Sequence, residues 1–238
     1  LTGQGIFSSE GDLWLRQRRL VQPAFLKSRL AGLSEHVTRS VARLIEEWDD
    51  RAVGREIDVC AEMMRGSMRI VGTALFSNDV SADADELGRA YRIAFAYVSD
   101  RLNGKLTAPL WLPTRKNREY LQAQRRLDRV VLELIDARRR GQSPSGDVLD
   151  LLLAARDEET GRPMSDRQLK DEVITLLTAG HETVGAGLAW AWHLLTQHPQ
   201  VQRDLHDEAR GALRGAVPTA ADLPRLPLAT AVFEESMR

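Results

Sequence analysis

A chain of 238 residues with 43% hydrophobic residues is long enough to bury a sizeable core and too apolar for wholesale disorder. Its net charge of −1 removes any global electrostatic reason to expect nucleic acid or an anionic membrane as a partner, and its single cysteine, Cys60, excludes an internal disulfide and fits a reducing compartment. No apolar run approaches the ~18 residues of a membrane span, and no basic stretch followed by an apolar one marks a signal peptide.

Helical patterns dominate from the start. A first helix is expected over Leu13 to Val21, stopped by Pro23. From Ser28 to Ala52, Leu30, Leu33, Val37, Val41, Leu44, Ile45 and Trp48 recur at helical spacing. Glu56 to Val59 carries the one hint of strand alternation, ahead of a Met-rich helix from Val59 to Phe76. A further helix is predicted over Ala84 to Leu102, then a loop with Pro109 and Pro113, then a long charged helix from Lys116 to Arg140. A short helix over Asp147 to Glu158 follows.

Ser165 and Gln168 have capping-box spacing, and Asp166 suits a positive helix N-terminus. The helix they start should run to about His198, where Pro199 closes it, a rod of about 50 Å. Helices over Val201 to Leu213 and from Leu228 to Arg238 flank a connector at Pro218 to Pro227. The expected class is all-α, in a single incomplete domain over residues 1–238. The chain begins at Leu1 without Met and stops at Arg238 inside a helical pattern, so a fragment of a longer protein is expected.

Three constellations carry chemistry. Ala179-Gly180-His181-Glu182-Thr183 lies in the middle of the longest helix. A mid-helix Gly costs about 1 kcal/mol against Ala, and a Glu beside a Thr adds polar groups that need partners if buried. The run reads as a helix that opens locally beside a cofactor, with Glu182 and Thr183 placed to move protons. Taken alone it equally describes a kinked core helix with a solvated Glu. Trp14 and Arg18 share a helix face and together offer an indole N–H and a guanidinium fork to a ligand carboxylate. Taken alone, Trp14 is better read as a core anchor, with Arg16, Arg18 and Arg19 a solvated basic face. Glu235 and Arg238 are spaced for an ion pair.

In this order and separation, the three resemble the haem-thiolate monooxygenases, the cytochromes P-450. The match takes in Trp14-x-x-x-Arg18, then Ala179-Gly180-x-Glu182-Thr183 on the long helix, then Glu235-x-x-Arg238. Gln22-Pro23-Ala24-Phe25, His198-Pro199, Asp222-Leu223-Pro224 and Leu226-Pro227 agree as well. Val184 stands where many relatives carry Thr or Ser. The resemblance covers essentially the whole chain, from the family's third lettered helix to its Glu-x-x-Arg helix.

The resemblance implies an enzyme that inserts one atom of O2 into a C–H bond of a small lipophilic substrate, using haem b (iron protoporphyrin IX). Thr183 and Glu182 would be the proton relay. Trp14 and Arg18 would hold a haem propionate, with Ala179 and Gly180 passing close to the macrocycle. Glu235 and Arg238 would lock the core, and Thr175 and Thr178 would face substrate. Electrons would come from a ferredoxin or flavoprotein reductase, with Arg16 to Arg19 as a candidate dock. A soluble, cytoplasmic, bacterial protein with no membrane segment and no nucleic-acid partner is implied.

The family's iron-binding Cys lies in a loop beyond Glu-x-x-Arg, hence beyond Arg238, and the flanking β segments are also expected outside this window. Cys60 is read as a core thiol, and His181, His193, His198 and His206 as surface or capping residues. Arg138-Arg139-Arg140 is read as a helix C-terminus complementing its dipole. Two rival readings stay open: a non-catalytic truncated helical remnant, and a non-haem helical metalloenzyme using His181 and Glu182.

Overall fold

The computed structural model describes residues 2–26, 32–51, 53–77, 84–104, 108–141 and 146–238. Among these the fold is all-α. In chain order the elements are α1 (Gly11–Val21), a 3-10 turn (Gln22–Phe25), α2 (Leu33–Arg51), α3 (Val59–Phe76), α4 (Ala84–Leu102), α5 (Arg115–Arg139), α6 (Val148–Ala154), α7 (Asp166–Gln197), α8 (Pro199–Leu213), a second 3-10 turn (Ala220–Arg225) and α9 (Pro227–Ser236). An isolated antiparallel bridge joins Arg156 to Pro163. The strand hint at Glu56 is not met: residues 56–58 are irregular, and Val59 opens α3. The expected start of α2 at Ser28 falls outside the described residues.

The chain divides into two compact units. The first takes in Leu1–Leu26 and Leu75–Ala179, the second Lys27–Ala74 and Gly180–Arg238. Both α3 and α7 therefore contribute residues to each.

In the first unit, α4 packs on α5 through buried Tyr91, Ala94 and Tyr97 on one side and Tyr120, Ala123 and Leu127 on the other. The rings of Tyr97 and Tyr120 stack at 4.2 Å between centroids. Buried Asn117 accepts from the Tyr97 hydroxyl at 2.7 Å and donates to the carbonyls of Pro109 (2.6 Å) and Leu112 (2.8 Å), which fixes the α4–α5 connection. Thr114 caps α5 by accepting from the Asn117 N–H.

Arg138, read from the sequence as a dipole-complementing residue, is instead a buried hub. Its guanidinium donates to Asp147 at 2.5 and 2.6 Å, to Asp150 at 2.7 Å and to the Phe76 carbonyl at 3.0 Å. These bonds tie the ends of α3 and α5 to the start of α6, where Asp147 is also the N-cap. Arg139 pairs with Asp166 at 2.5 Å, at the start of α7.

In the second unit, α2 and α3 are joined by polar bonds under a buried seam. The Trp48 indole donates to Glu62 at 2.8 Å, Glu62 accepts from Arg65 at 2.7 Å, and Arg69 pairs with Glu47 at 2.7 Å. The next face of α3 meets α7, where glycines permit close approach. A β-carbon at Gly185 would lie 2.9 Å from the Ser67 hydroxyl and 3.2 Å from the Met64 Cα. Downstream, the Glu208 carboxylate on α8 accepts from the backbone N–H groups of Leu228 (2.7 Å) and Ala229 (3.0 Å), capping α9.

Candidate functional site

In the first unit, α1 delivers Trp14 and Arg18 as a pair. The guanidinium carbon of Arg18 lies 5.1 Å from the centroid of the half-buried Trp14 ring. The neighbouring cations are engaged: Arg16 bonds Asp157 at 2.9 Å and Arg19 reaches Glu159 at 3.4 Å. Arg18 is exposed and has no carboxylate partner among the described residues. Two of the three cations suggested as a docking face are thus partly neutralised within the chain. Asp157 is itself held below the usual carboxylate range, first by the Thr160 hydroxyl and N–H and then by Arg16.

The residues before α1 form a strap on the N-terminal half of α7. The Gln4 N–H donates to Asp171 and the Ile6 N–H to Glu172, each at 3.0 Å. A β-carbon at Gly5 would overlap the Thr175 hydroxyl at 2.0 Å and stand 2.8 Å from the Asp171 carbonyl. Gln17 of α1 is fully buried, accepting from the Ser9 hydroxyl and donating to the Gln4 carbonyl. Thr175 is therefore covered by the strap, and its hydroxyl donates to the Asp171 carbonyl at 2.7 Å. It does not offer the open substrate face expected of it. Thr178 is half-buried, and its hydroxyl oxygen is shielded and unpartnered.

In the second unit, α7 continues through Gly180 as unbroken α-helix, so the expected local opening is not seen. Gly180 instead faces α3: a β-carbon there would lie 2.8 Å from Cγ2 of Val71. Ala179 and Thr183, one turn apart, are exposed, and Glu182 is half-buried. His181 is only 4% exposed, against the surface role expected of it, because that side of α7 is packed. Cys60 is likewise the reverse of its expectation: it is exposed, in the first turn of α3. His193, His198 and His206 are exposed as expected.

Thr183 comes together with the third constellation. A groove of about 500 Å³ is lined by Thr183, Gly187, Trp190, Leu194 and residues 235–238. Glu235 and Arg238 pair at 3.4 Å across one helical turn, with side chains 69% and 81% exposed. They sit at the surface of this chain, as a pair of this spacing taken alone would. Among the described residues, no three His, Cys, Asp or Glu side chains gather as a metal ion would require. No helix among them is long and apolar enough to cross a membrane.

Sequence reasoning missed Gln17 and Glu172, and gave Arg138 a different role. The signal for Glu172 was present: Asp171 and Glu172 directly precede the apolar run Val173 to Leu177, a poor place for two solvated carboxylates. For Gln17, the repeated glycines Gly3 and Gly5 hinted at close backbone approach.

The family model described as cytochrome P450 matches residues 2–238. Cyclooctat-9-en-7-ol 5-monooxygenase of Streptomyces melanosporofaciens is 37% identical over 243 residues, an alignment that covers 100% of this chain and 51% of the relative. Cyclooctatin synthase of the same organism is 37% identical, covering 100% of this chain and 52% of the relative. Pentalenene oxygenase of Streptomyces avermitilis is 34% identical, again covering 100% and 52%. The chain thus spans about half the length of these curated relatives.

Proposed function

Because the chain belongs to the cytochrome P450 family, we propose that the intact protein is a haem-dependent monooxygenase that places one atom of O2 into a C–H bond of a small lipophilic substrate. The observation that carries this reading is Arg18, held over Trp14 with no carboxylate partner among the described residues while Arg16 and Arg19 are paired. An exposed guanidinium kept in place by an indole, with N–H groups left to donate to an external carboxylate, suits a porphyrin propionate. The exposed Thr183 on α7, bordering the groove, fits a flat group that a larger side chain would hold off.

Haem, when bound, supplies the activation of dioxygen, which no side chain here can perform. The chain's own residues bind, orient and move protons. Arg18 and the Trp14 N–H hold the carboxylate. Thr183 offers a hydroxyl that both donates and accepts, and Glu182 offers an acid one residue away. Adjacent helix positions do not face each other, so a proton passes between them through a water. Glu235 and Arg238 would fix the backbone beside the haem in the intact protein, within one haem-binding domain to which residues 1–238 belong.

The relatives' names state oxidation of an alkenol and of pentalenene. An apolar substrate of that kind is the expectation here, with electrons from a ferredoxin or flavoprotein reductase. The test is the absorbance of the reduced intact protein under carbon monoxide. The red-shifted band of thiolate-ligated haem is expected, and the 238-residue chain alone should lack it. Intact protein that binds no haem would overturn the reading.

A further inference from the structure

Glu172 is the most completely buried acid among the described residues, at 0% exposure. One oxygen accepts the Ile6 N–H at 3.0 Å, and the other, Oε1, is shielded with no hydrogen-bond partner. A carboxylate in that state has lost most of its hydration for one bond, whereas a neutral carboxyl needs far less. The strap it holds carries no titratable side chain between Thr2 and Ser9. The α1 side chain in the same network, Gln17, is neutral. On α7 the nearest charge is Asp171, whose carboxylate accepts from Gln4 and also lies 3.8 Å from Lys170. The α5 residue Asp128 is paired to Lys170 at 3.0 Å. The neighbouring cation Lys170 is therefore already shared by two other carboxylates, and Glu172 makes no ion pair among the described residues.

We infer that Glu172 is a positioning residue, whose carboxyl group fastens the 2–9 strap, and through it the start of α1, to α7 in a proton-dependent way. Neutral Glu172 is stable beneath the strap. Ionised Glu172 gains by the strap lifting, because water then reaches it. The close contacts of Gly3 and Gly5 with Asp171 and Thr175 leave no slack for water to enter while the strap is seated. Gln17 transmits the position, since it bonds the strap at Gln4 and stands on the helix that carries Trp14 and Arg18. Burial pushes the Glu172 carboxyl up to about 7, a rise opposed by the Ile6 N–H and reinforced by Asp171. Seating the strap then takes up a proton between pH 4.5 and about 7. The seated-to-lifted ratio should fall up to about tenfold per pH unit across that window and level off above it.

The anchoring stands independently of the haem reading, and its effect on Trp14 and Arg18 rests on that reading. The experiment is amide hydrogen exchange of residues 3–8 in the intact protein from pH 5 to 8, corrected for intrinsic exchange, with the rate of haem loss followed in parallel. In the wild type, protection of Gln4 and Ile6 should fall by one to two orders of magnitude from pH 5 to 7. Haem loss should quicken over the same window.

Glu172→Gln, a neutral isostere that still accepts from Ile6, should keep protection high and nearly flat with pH. Gly5→Ala should give low protection at every pH, and it serves as the decisive variant if Glu172→Gln does not fold. Equal pH profiles for wild type and Glu172→Gln, or a wild-type slope that persists in Gly5→Ala, would overturn the inference. Absence of bound haem would sink the functional reading while the exchange data still decide the strap. Flat wild-type exchange in a haem-loaded protein would sink the strap alone.

Discussion

A β-carbon added to Gly180 of α7 would stand 2.8 Å from the Cγ2 methyl of Val71 on α3, closer than carbon atoms sit without something moving. Val71 is β-branched and rigid in a helix, so its methyl cannot swing aside. The glycine in the middle of the longest helix is thus explained by helix packing within the second unit.

Gly180→Ala should therefore destabilise the protein. Alanine gains about 1 kcal/mol of helix propensity, but overpacking a rigid contact costs about 1–3 kcal/mol. A melting temperature lower by a few degrees is expected, with recovery in the double variant carrying Val71→Ala. If the double variant regains stability yet binds haem poorly, Gly180 also serves the cofactor. If Gly180→Ala raises the melting temperature, the close contact is not limiting.

The pH dependence of stability has two opposed parts. Asp157, Asp166 and Asp222 are held below their ordinary value of 3.8 by Thr160, Arg139 and Thr219 respectively. Their contributions are present once they are ionised and vanish as pH falls through that range. Glu172 runs the other way. Its folded pKa, about 7, lies above its ordinary 4.5, so its contribution is complete below 4.5 and lost as pH rises towards 7. The loss is on the order of 3 kcal/mol. Urea midpoints should fall from pH 4.5 to 7 in wild type, and Glu172→Gln should remove that fall. A midpoint that rises steadily to pH 7 would refute the assignment.

The Arg138 hub should be the costliest single ion-pair site to disturb. Arg138 and Asp147 have side chains only 4% and 5% exposed, so removing the cation leaves a buried anion. Arg138→Met should cost about 3–5 kcal/mol, read as a lower denaturant midpoint. Adding Asp147→Asn should return part of it, because the stranded charge is gone. Arg138→Lys should also fail, since one ammonium cannot span Asp147, Asp150 and the Phe76 carbonyl together. A loss below 1 kcal/mol for Arg138→Met would show that water reaches the cluster.

The helices were legible because their signals are local. Pro23 and Pro199 mark breaks, apolar residues recur every three or four positions, and Ser165 supplies a cap that accepts from Gln168. The motif residues were legible as a set, since their order along the chain carried the resemblance. What surrounds each was not. Whether His181 faces core or solvent depends on which side of α7 is covered, and Cys60 lies in an apolar pattern yet opens onto solvent in the first turn of α3. Arg138 and Glu172 gain their character from partners 9 to 166 residues away, which no helical period encodes.

Arg18→Gln should weaken haem retention with little effect on folding. Arg18 is exposed and makes no carboxylate bond among the described residues, and exposed substitutions of that kind stay within about 0.5 kcal/mol. Arg16→Gln is the matched control, because Arg16 is spent on Asp157 at 2.9 Å. Haem transfer from the intact protein to an excess of a haem acceptor should quicken for Arg18→Gln and hardly change for Arg16→Gln. Equal rates for the two variants would remove Arg18 from the propionate role.

Thr183 permits a test that separates chemistry from stability. It is exposed and borders the groove with Gly187 and Trp190, so truncating it opens no core cavity. Thr183→Ala should therefore fold as the wild type does. In the intact protein, oxygen should still be consumed while the product formed per O2 falls several-fold, because the hydroxyl proposed to direct the proton is gone. Thr183→Ser should restore most of the ratio, since it returns the hydroxyl without the methyl. Glu182→Gln should slow turnover, because the amide cannot carry a proton inward. The measurement is product against oxygen consumed, and an unchanged ratio in Thr183→Ala would remove Thr183 from the relay.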